Sequence, residues 1–384
     1  MVLGAGIAGL SAVESIRAAA PEADIVLVSK ETEFPYYRLN LTRLLAGEID
    51  AATLPIHPED WYADQRIHLL RGVETKSIQP DAHTVELSNG AVEPYDKLVI
   101  TCGAHPFVPP VPGAYREGAT AIRTLEDVRA VLSFATPGMR CVVIGGGILG
   151  LETAGGLARR GLDVTVLESY KWLLPRQLNQ DAGELLEQYV AGRGIKILRE
   201  AKSAEIVGDE RARGVLLADG TVIPADLVIF ATGVRPNSYL ARMAGLKVEG
   251  GIVVDSRLTT SHPDILAAGD VAEYAGNLYG QWEPARYQGT IAGMNAAGLD
   301  TEFGGLPRAA TLKVLGIDLF SLGVIEPPDG SYDVVSNRIE QNYYRFVFHD
   351  NKLAGAIFVG DSRLAAASQR TLKTGTDLSK LLAA

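Results

Sequence analysis

Cysteine is almost missing from this 384-residue chain: there are two, Cys102 and Cys141, far apart and in no CxxC spacing. Two such thiols make no disulfide framework and do not supply the clustered thiolates of a zinc or iron–sulfur site. No metal is therefore expected, and a reducing cytoplasm suits the chain. Basic residues are also short, 36 Lys and Arg against 46 Asp and Glu, for a formal net charge of −10. Nucleic-acid binding is driven by clustered cations that release phosphate counterions, so a nucleic-acid partner is not expected. No uncharged apolar run reaches the roughly 18 residues of a membrane span, and no charged leader precedes an apolar one, which argues against a membrane partner.

What is present in quantity is glycine, 41 residues, in a chain that is 47% hydrophobic and 21% charged. That composition is globular, and the length calls for two or three domains with separate cores. Val2 and Leu3 end a strand that runs into Gly4-Ala5-Gly6-Ile7-Ala8-Gly9, then a helix over 10–20 and a strand over 24–28. Only three residues precede Gly4, fewer than a full strand needs. In a strand, glycine loop, helix unit the first glycine makes the tight turn and the second lets a pyrophosphate approach the backbone. The third lets the helix pack on the strand with its N-terminus facing the anion. One such motif is weak evidence, because glycine-rich turns occur in many folds.

The chain carries a second. A strand over 141–144 runs into Gly145-Gly146-Gly147-Ile148-Leu149-Gly150, a helix through Arg160 and a strand over 163–167, with its key glycines at the same offsets as Gly4, Gly6 and Gly9. The strand ends in Glu168, about 20 residues into the unit, where a carboxylate accepts from an adenosine ribose 2′-hydroxyl. Two further segments, 95–104 and 225–236, share a pattern of Asp, buried apolar strand, small residues and Gly. They contain Thr101, Gly103 and Gly233. A third strand signature over 264–270 is stopped by Gly269-Asp270. Prolines over 108–113 read as a linker and 121–136 as a helix. The segment 304–384 carries strand-like runs at 310–314, 319–324, 343–348 and 353–359, then a helix from Ser362.

These residues make the chain resemble the pyridine nucleotide-disulfide oxidoreductase superfamily over nearly its whole length. Within it, Pro35-Tyr36-Tyr37-Arg38, Asp60-Trp61-Tyr62, Leu174-Pro175-Arg176 and Gly269-Asp270-Val271-Ala272-Glu273 resemble NAD(P)H:rubredoxin oxidoreductases and the FAD/NAD-binding part of nitrite reductases. The resemblance implies an α/β fold of two Rossmann-like, three-layer ββα dinucleotide-binding domains and a small C-terminal α+β domain. It divides the chain into an FAD-binding domain at 1–107 and 236–303, an NAD(P)H-binding domain at 108–235, and a tail at 304–384 that forms a dimer or partner surface.

FAD is then expected on Gly4, Gly6, Ile7, Ala8, Gly9, Thr101, Gly103 and Gly269, with Asp270 on the ribityl chain. Glu31 is the ribose candidate, because Ser29 stands where relatives carry an acid. The nicotinamide dinucleotide is expected on Gly145, Gly147, Ile148, Leu149, Gly150, Glu168 and Gly233, with NADH preferred over NADPH because Glu168 repels a 2′-phosphate. Arg38 and Glu152 match a cation and carboxylate that pair beside the flavin in relatives, which makes them the catalytic candidates. A surface salt bridge is the competing role for Arg38. Trp282 opens a segment resembling the one that aims a helix N-terminus at the flavin ring, where its dipole favours negative charge. It equally suits a core position.

Thiol-using members of the superfamily carry cysteine just after the second strand of the FAD domain, and 36–47 has none. Thiol relay is thus excluded there, and Cys102 and Cys141 are expected to be structural. The mechanism implied is hydride transfer from NADH to flavin, then electron delivery to rubredoxin or ferredoxin. Three alternatives stay open: the flavin subunit of a nitrite-reductase-type complex, a redox-sensing FAD scaffold, and an NADH oxidase using oxygen.

Overall fold

The computed structural model describes residues 1–306 and 309–374. The chain divides into two compact units, the first made of Met1–Leu41, Asp50–His105 and Val234–Leu306. Its five-stranded sheet has the order Ile265–Ala267, Leu98–Ile100, Val2–Leu3, Ile25–Ser29, Ile67–Arg71, every pair parallel. Four of the strands are short, mainly apolar runs because both faces of the sheet are covered there, while Ile67–Arg71 at the edge exposes His68 and Arg71. Leu10, Val13 and Ile16 of the helix Ile7–Ala19 pack into the same core as Ile78, Val85 and Leu87. Those last three belong to an antiparallel meander, Thr75–Gln79, Thr84–Leu87 and Val92–Pro94. Parallel sheet, helices and meander are the three layers.

Helix Ile7–Ala19 also packs on Trp282–Ala296 at unusually close range. A Cβ added to Gly289 would lie 2.1 Å from the carbonyl oxygen of Ala8, and one on Gly293 would lie 2.3 Å from that of Ala12. Glycine on one helix and alanine on the other let the two backbones touch.

The second unit comprises Thr42–Ile49, Pro106–Gly233 and the tail from Pro307. It repeats the plan with a parallel sheet in the order Lys196–Leu198, Asp163–Leu167, Arg140–Ile144, Leu227–Phe230, Ala119–Ala121. A meander of Ser203–Gly208, Ala212–Leu217 and Val222–Pro224 shares a core with Val142, Ile144, Val228 and Phe230. The helix anticipated over 121–136 is shorter, Leu125–Phe134. Thr124 starts it with a reciprocal cap: its hydroxyl accepts from the Asp127 N–H at 3.2 Å, and Asp127 accepts from the Thr124 N–H at 2.8 Å.

In the tail, an antiparallel sheet runs Ala309–Val314, Ile317–Gly323, Lys352–Gly360, Asn342–His349, Tyr332–Ile339. Phe320, Leu322, Ala356 and Phe358 form its core under Ala365 and Leu372 of the helix Ala365–Thr374. Strand Tyr332–Ile339 has no counterpart in the sequence reading. It lies at the sheet edge with seven of its eight residues exposed, so it lacks the apolar alternation that reveals a half-buried strand. Among the described residues, no helix is long and apolar enough to cross a membrane.

Candidate dinucleotide sites

Both glycine loops are built in the same way. Gly4 has φ +109°, and a Cβ there would lie 2.5 Å from the carbonyl oxygen of Thr101. A Cβ on Gly9 would lie 1.9 Å from the carbonyl oxygen of Gly4, while one on Gly6 would meet nothing within 4 Å. Gly145 (φ +115°), Gly150 and Gly147 repeat this, at 2.5 Å from Ala231, 1.9 Å from Gly145, and open. The outer glycines therefore serve packing, and the middle one leaves bare backbone at the start of a helix, Ile7–Ala19 or Ile148–Arg159. Bare backbone at a helix N-terminus is the cradle a dinucleotide pyrophosphate needs, so the residues fit that group at both loops.

Around the first loop, Thr101 Oγ1 donates to the carbonyls of Leu3 (3.1 Å) and Gly4 (2.8 Å), closing the turn from below. Gly103 and Gly269 take positive φ values, +65° and +82°. Gly269 is pressed so close to Ala8 that a Cβ would stand 2.8 Å from the Ala8 methyl. Its N–H donates to Oε1 of the fully buried Gln288 at 2.9 Å. Gln288 thus fastens the Gly269-Asp270 turn to helix Trp282–Ala296. Sequence reasoning passed over it, because a glutamine within a helix carries no motif. Trp282 is the first residue of that helix, and its ring stacks on Tyr37 at 5.7 Å.

Glu31 is held on both oxygens, accepting from Tyr36 Oη at 2.6 Å and Arg38 Nη2 at 2.5 Å. Burial works against the Arg38 charge, but Glu31, with Tyr36 and Asp270 nearby, outweighs it and raises the guanidinium pKa.

At the second loop, Glu168 is 5% exposed. Its two carboxylate oxygens accept from the Gly146 N–H (3.0 Å) and the Tyr170 N–H (2.9 Å), which aims the group at the loop. Leu149, in the first turn of the helix that follows the loop, is exposed at 38%. Gly233 has φ +101° and open space where a Cβ would be, and its carbonyl accepts from Phe107 N–H at 2.8 Å.

Arg38 and Glu152 belong to different units. Arg38 forms an ion pair with Glu31, and Glu152 accepts from the Leu315 N–H at 3.2 Å. Burial, with Glu48 adding repulsion, raises the Glu152 pKa against the pull of that hydrogen bond. The segment Thr42–Ile49 brings a second cation, Arg43, into the unit of Glu152, where it pairs with Glu48 at 3.4 Å. Which unit this short segment joins is a long-range packing outcome, invisible in local spacing.

Burial pushes the Cys102 thiol up to about 12 and also raises that of Cys141. Among the described residues no group of His, Cys, Asp or Glu is placed to hold a metal ion.

Two dinucleotide loops of this construction in one α/β chain define a two-nucleotide oxidoreductase scaffold. The chain belongs to the pyridine nucleotide-disulphide oxidoreductase family, whose model matches residues 1–289. Residues 309–376 match the rubredoxin NAD+ reductase C-terminal domain. It is 34% identical to a nitrite reductase [NAD(P)H] of Bacillus subtilis over 94% of this chain and 45% of that protein. It is 31% identical to the NADH-rubredoxin oxidoreductase of Clostridium acetobutylicum, over 99% of this chain and 94% of the other. It thus spans about half the length of the nitrite reductase and nearly all of the rubredoxin reductase. The crystal structure of the latter type of enzyme from C. acetobutylicum superposes with a TM-score of 0.83 at 30% identity, covering 98% of this chain and 95% of that one. A covalent putidaredoxin reductase–putidaredoxin complex gives 0.89 at 28% identity, covering 99% and 94%. Membership of this family implies use of FAD and a nicotinamide dinucleotide.

Proposed function

We propose that the chain is an FAD-dependent NAD(P)H oxidoreductase that prefers NADH and delivers electrons to a small redox protein of the rubredoxin or ferredoxin kind. The observation that carries this reading is the pair of glycine loops with an open middle glycine, in a chain whose segment 36–47 has no thiol to relay electrons. When bound, the nicotinamide supplies a hydride and the flavin accepts it and releases electrons one or two at a time. The protein binds and orients. Gly4, Gly6, Gly9 and the Gly269-Asp270 turn would hold FAD, while Gly145, Gly147, Gly150 and Glu168 would hold NADH. Arg38 secures Glu31 at the edge of the first site, and the N-terminus of helix Trp282–Ala296 favours negative charge near it.

The match of the tail to a rubredoxin reductase domain and the 94% coverage of a rubredoxin reductase support a free electron carrier as acceptor. The nitrite reductase relative supports a second reading, the flavin portion of a larger complex. Anaerobic reduction by NADH followed by mixing with rubredoxin, ferredoxin, oxygen or a nitrite reductase partner separates these. Slow flavin reduction by NADH would overturn the enzyme reading, and fast reoxidation by oxygen alone would replace it with an oxidase.

A further inference from the structure

Strands Ala309–Val314 and Ile317–Gly323 are joined by a two-residue turn, with Val314 paired to Ile317. Both turn residues, Leu315 and Gly316, have positive φ, +53° and +81°. A turn of this kind takes Asn-Gly or Gly-Gly by preference, because a branched apolar side chain in the left-handed region is conformationally costly. Leucine at the first position breaks the rule of its own turn, and such breaks point to a demand from elsewhere.

The demand comes from helix Ile148–Arg159. A Cβ on Gly155 would stand 1.7 Å from Leu315 Cδ2, so glycine leaves a notch that the leucine side chain fills. Three residues earlier on the same helix face, the Glu152 carboxylate accepts from the Leu315 N–H at 3.2 Å. One tail residue therefore grips two positions of the helix whose N-terminus forms the second dinucleotide cradle.

We propose that Leu315 is a positioning residue for the nicotinamide site: its side chain, seated on Gly155, holds its N–H on Glu152 and so fixes that carboxylate in the first turns of the dinucleotide helix. The tail, matched to a domain of rubredoxin reductases, thereby takes part in nucleotide binding. This rests on the reading of the second loop as the NADH site.

The test uses the full-length, FAD-loaded protein with a small artificial acceptor, measuring KM for NADH, kcat and the thermal midpoint. Leu315→Gly empties the notch, Leu315→Asn suits the turn but not the notch, and Leu315→Met refills it. The expected result is a rise in KM of about tenfold or more for the Gly and Asn variants, the order of one hydrogen bond to a charged group. Their kcat should stay near that of the parent, and the Met variant should behave as the parent does. In a Glu152→Ala background, which removes the acceptor of the Leu315 N–H, Leu315→Gly should add nothing further. An unchanged KM in the Asn variant, whose turn is conformationally at ease, overturns the proposal, as does a full additional rise in the Glu152→Ala background. Failure of the parent protein to saturate with NADH overturns the nucleotide-site reading itself.

Discussion

Replacing Glu168 with Gln changes one atom and should alter both stability and nucleotide choice. In the folded protein the carboxylate accepts from Gly146 N–H at 3.0 Å and from Tyr170 N–H at 2.9 Å, in a site only 5% exposed. Gln keeps one carbonyl oxygen, so one of those two donors must face an NH2 group. Losing a hydrogen bond to a buried charged acceptor costs about 1.5–3 kcal/mol, which should lower the urea midpoint. A 2′-phosphate held about 6 Å from the carboxylate, at an effective dielectric of about 20, is disfavoured by roughly 2.8 kcal/mol per charge pair, or about a hundredfold in relative affinity. The NADH over NADPH ratio of kcat/KM should therefore fall by about one to two orders of magnitude in the Gln variant, mainly through better use of NADPH. Steady-state kinetics with both donors, on protein normalised to flavin content, measures this. An unchanged ratio in the variant, or no preference in the parent, would refute the placement of Glu168 at the ribose.

Further outcomes follow from the same geometry. Gly6→Ala should leave the thermal midpoint of the flavin-free protein unchanged, since a Cβ there meets nothing within 4 Å, yet weaken FAD retention on reconstitution. Gly9→Ala, at 1.9 Å from the Gly4 carbonyl, should destabilise the fold itself by about 1–3 kcal/mol in urea melts. With the Cys102 thiol raised to about 12 by burial, alkylating reagents at neutral pH should leave both cysteines of the native protein unmodified. Anaerobic titration should take up two electrons per FAD and not four. Arg140 holds the Asp226 carboxyl down at about 2, through hydrogen bonds of 3.0 and 2.8 Å. A depressed carboxyl stabilises above its unfolded pKa, so the advantage of the parent over Asp226→Asn should be full above about pH 4 and vanish as pH falls through about 2. The pair is solvent-screened, so urea melts at neutral pH should show less than about 1 kcal/mol.

The two dinucleotide loops were legible in the sequence because their chemistry is local. Gly4 and Gly145 need backbone angles that a side chain resists, and Gly9 and Gly150 need room against a carbonyl five residues back. Such constraints fall on neighbours in the chain and leave a fixed spacing. Glu168 is local in the same sense, since it lies directly beyond the strand Asp163–Leu167 and accepts from the loop's own Gly146 N–H; so is the missing thiol between Tyr36 and Gly47.

What only the tertiary structure decided was which distant groups share a site. Arg38 and Glu152 were paired by resemblance; the fold in addition sets Arg38 against Glu31 and brings Leu315 to Glu152. Gln288 and the Gly289–Ala8 contact have no local signature, because the first is required by the Gly269 turn 19 residues away and the second by a partner helix more than 250 residues away in sequence. The tail edge strand Tyr332–Ile339 was invisible because it buries almost nothing. Local backbone constraints repeat with a period and can be read along a chain, whereas the choice of partner for a buried charge or a helix face is settled by packing, where one position is defined by atoms from every part of the sequence at once.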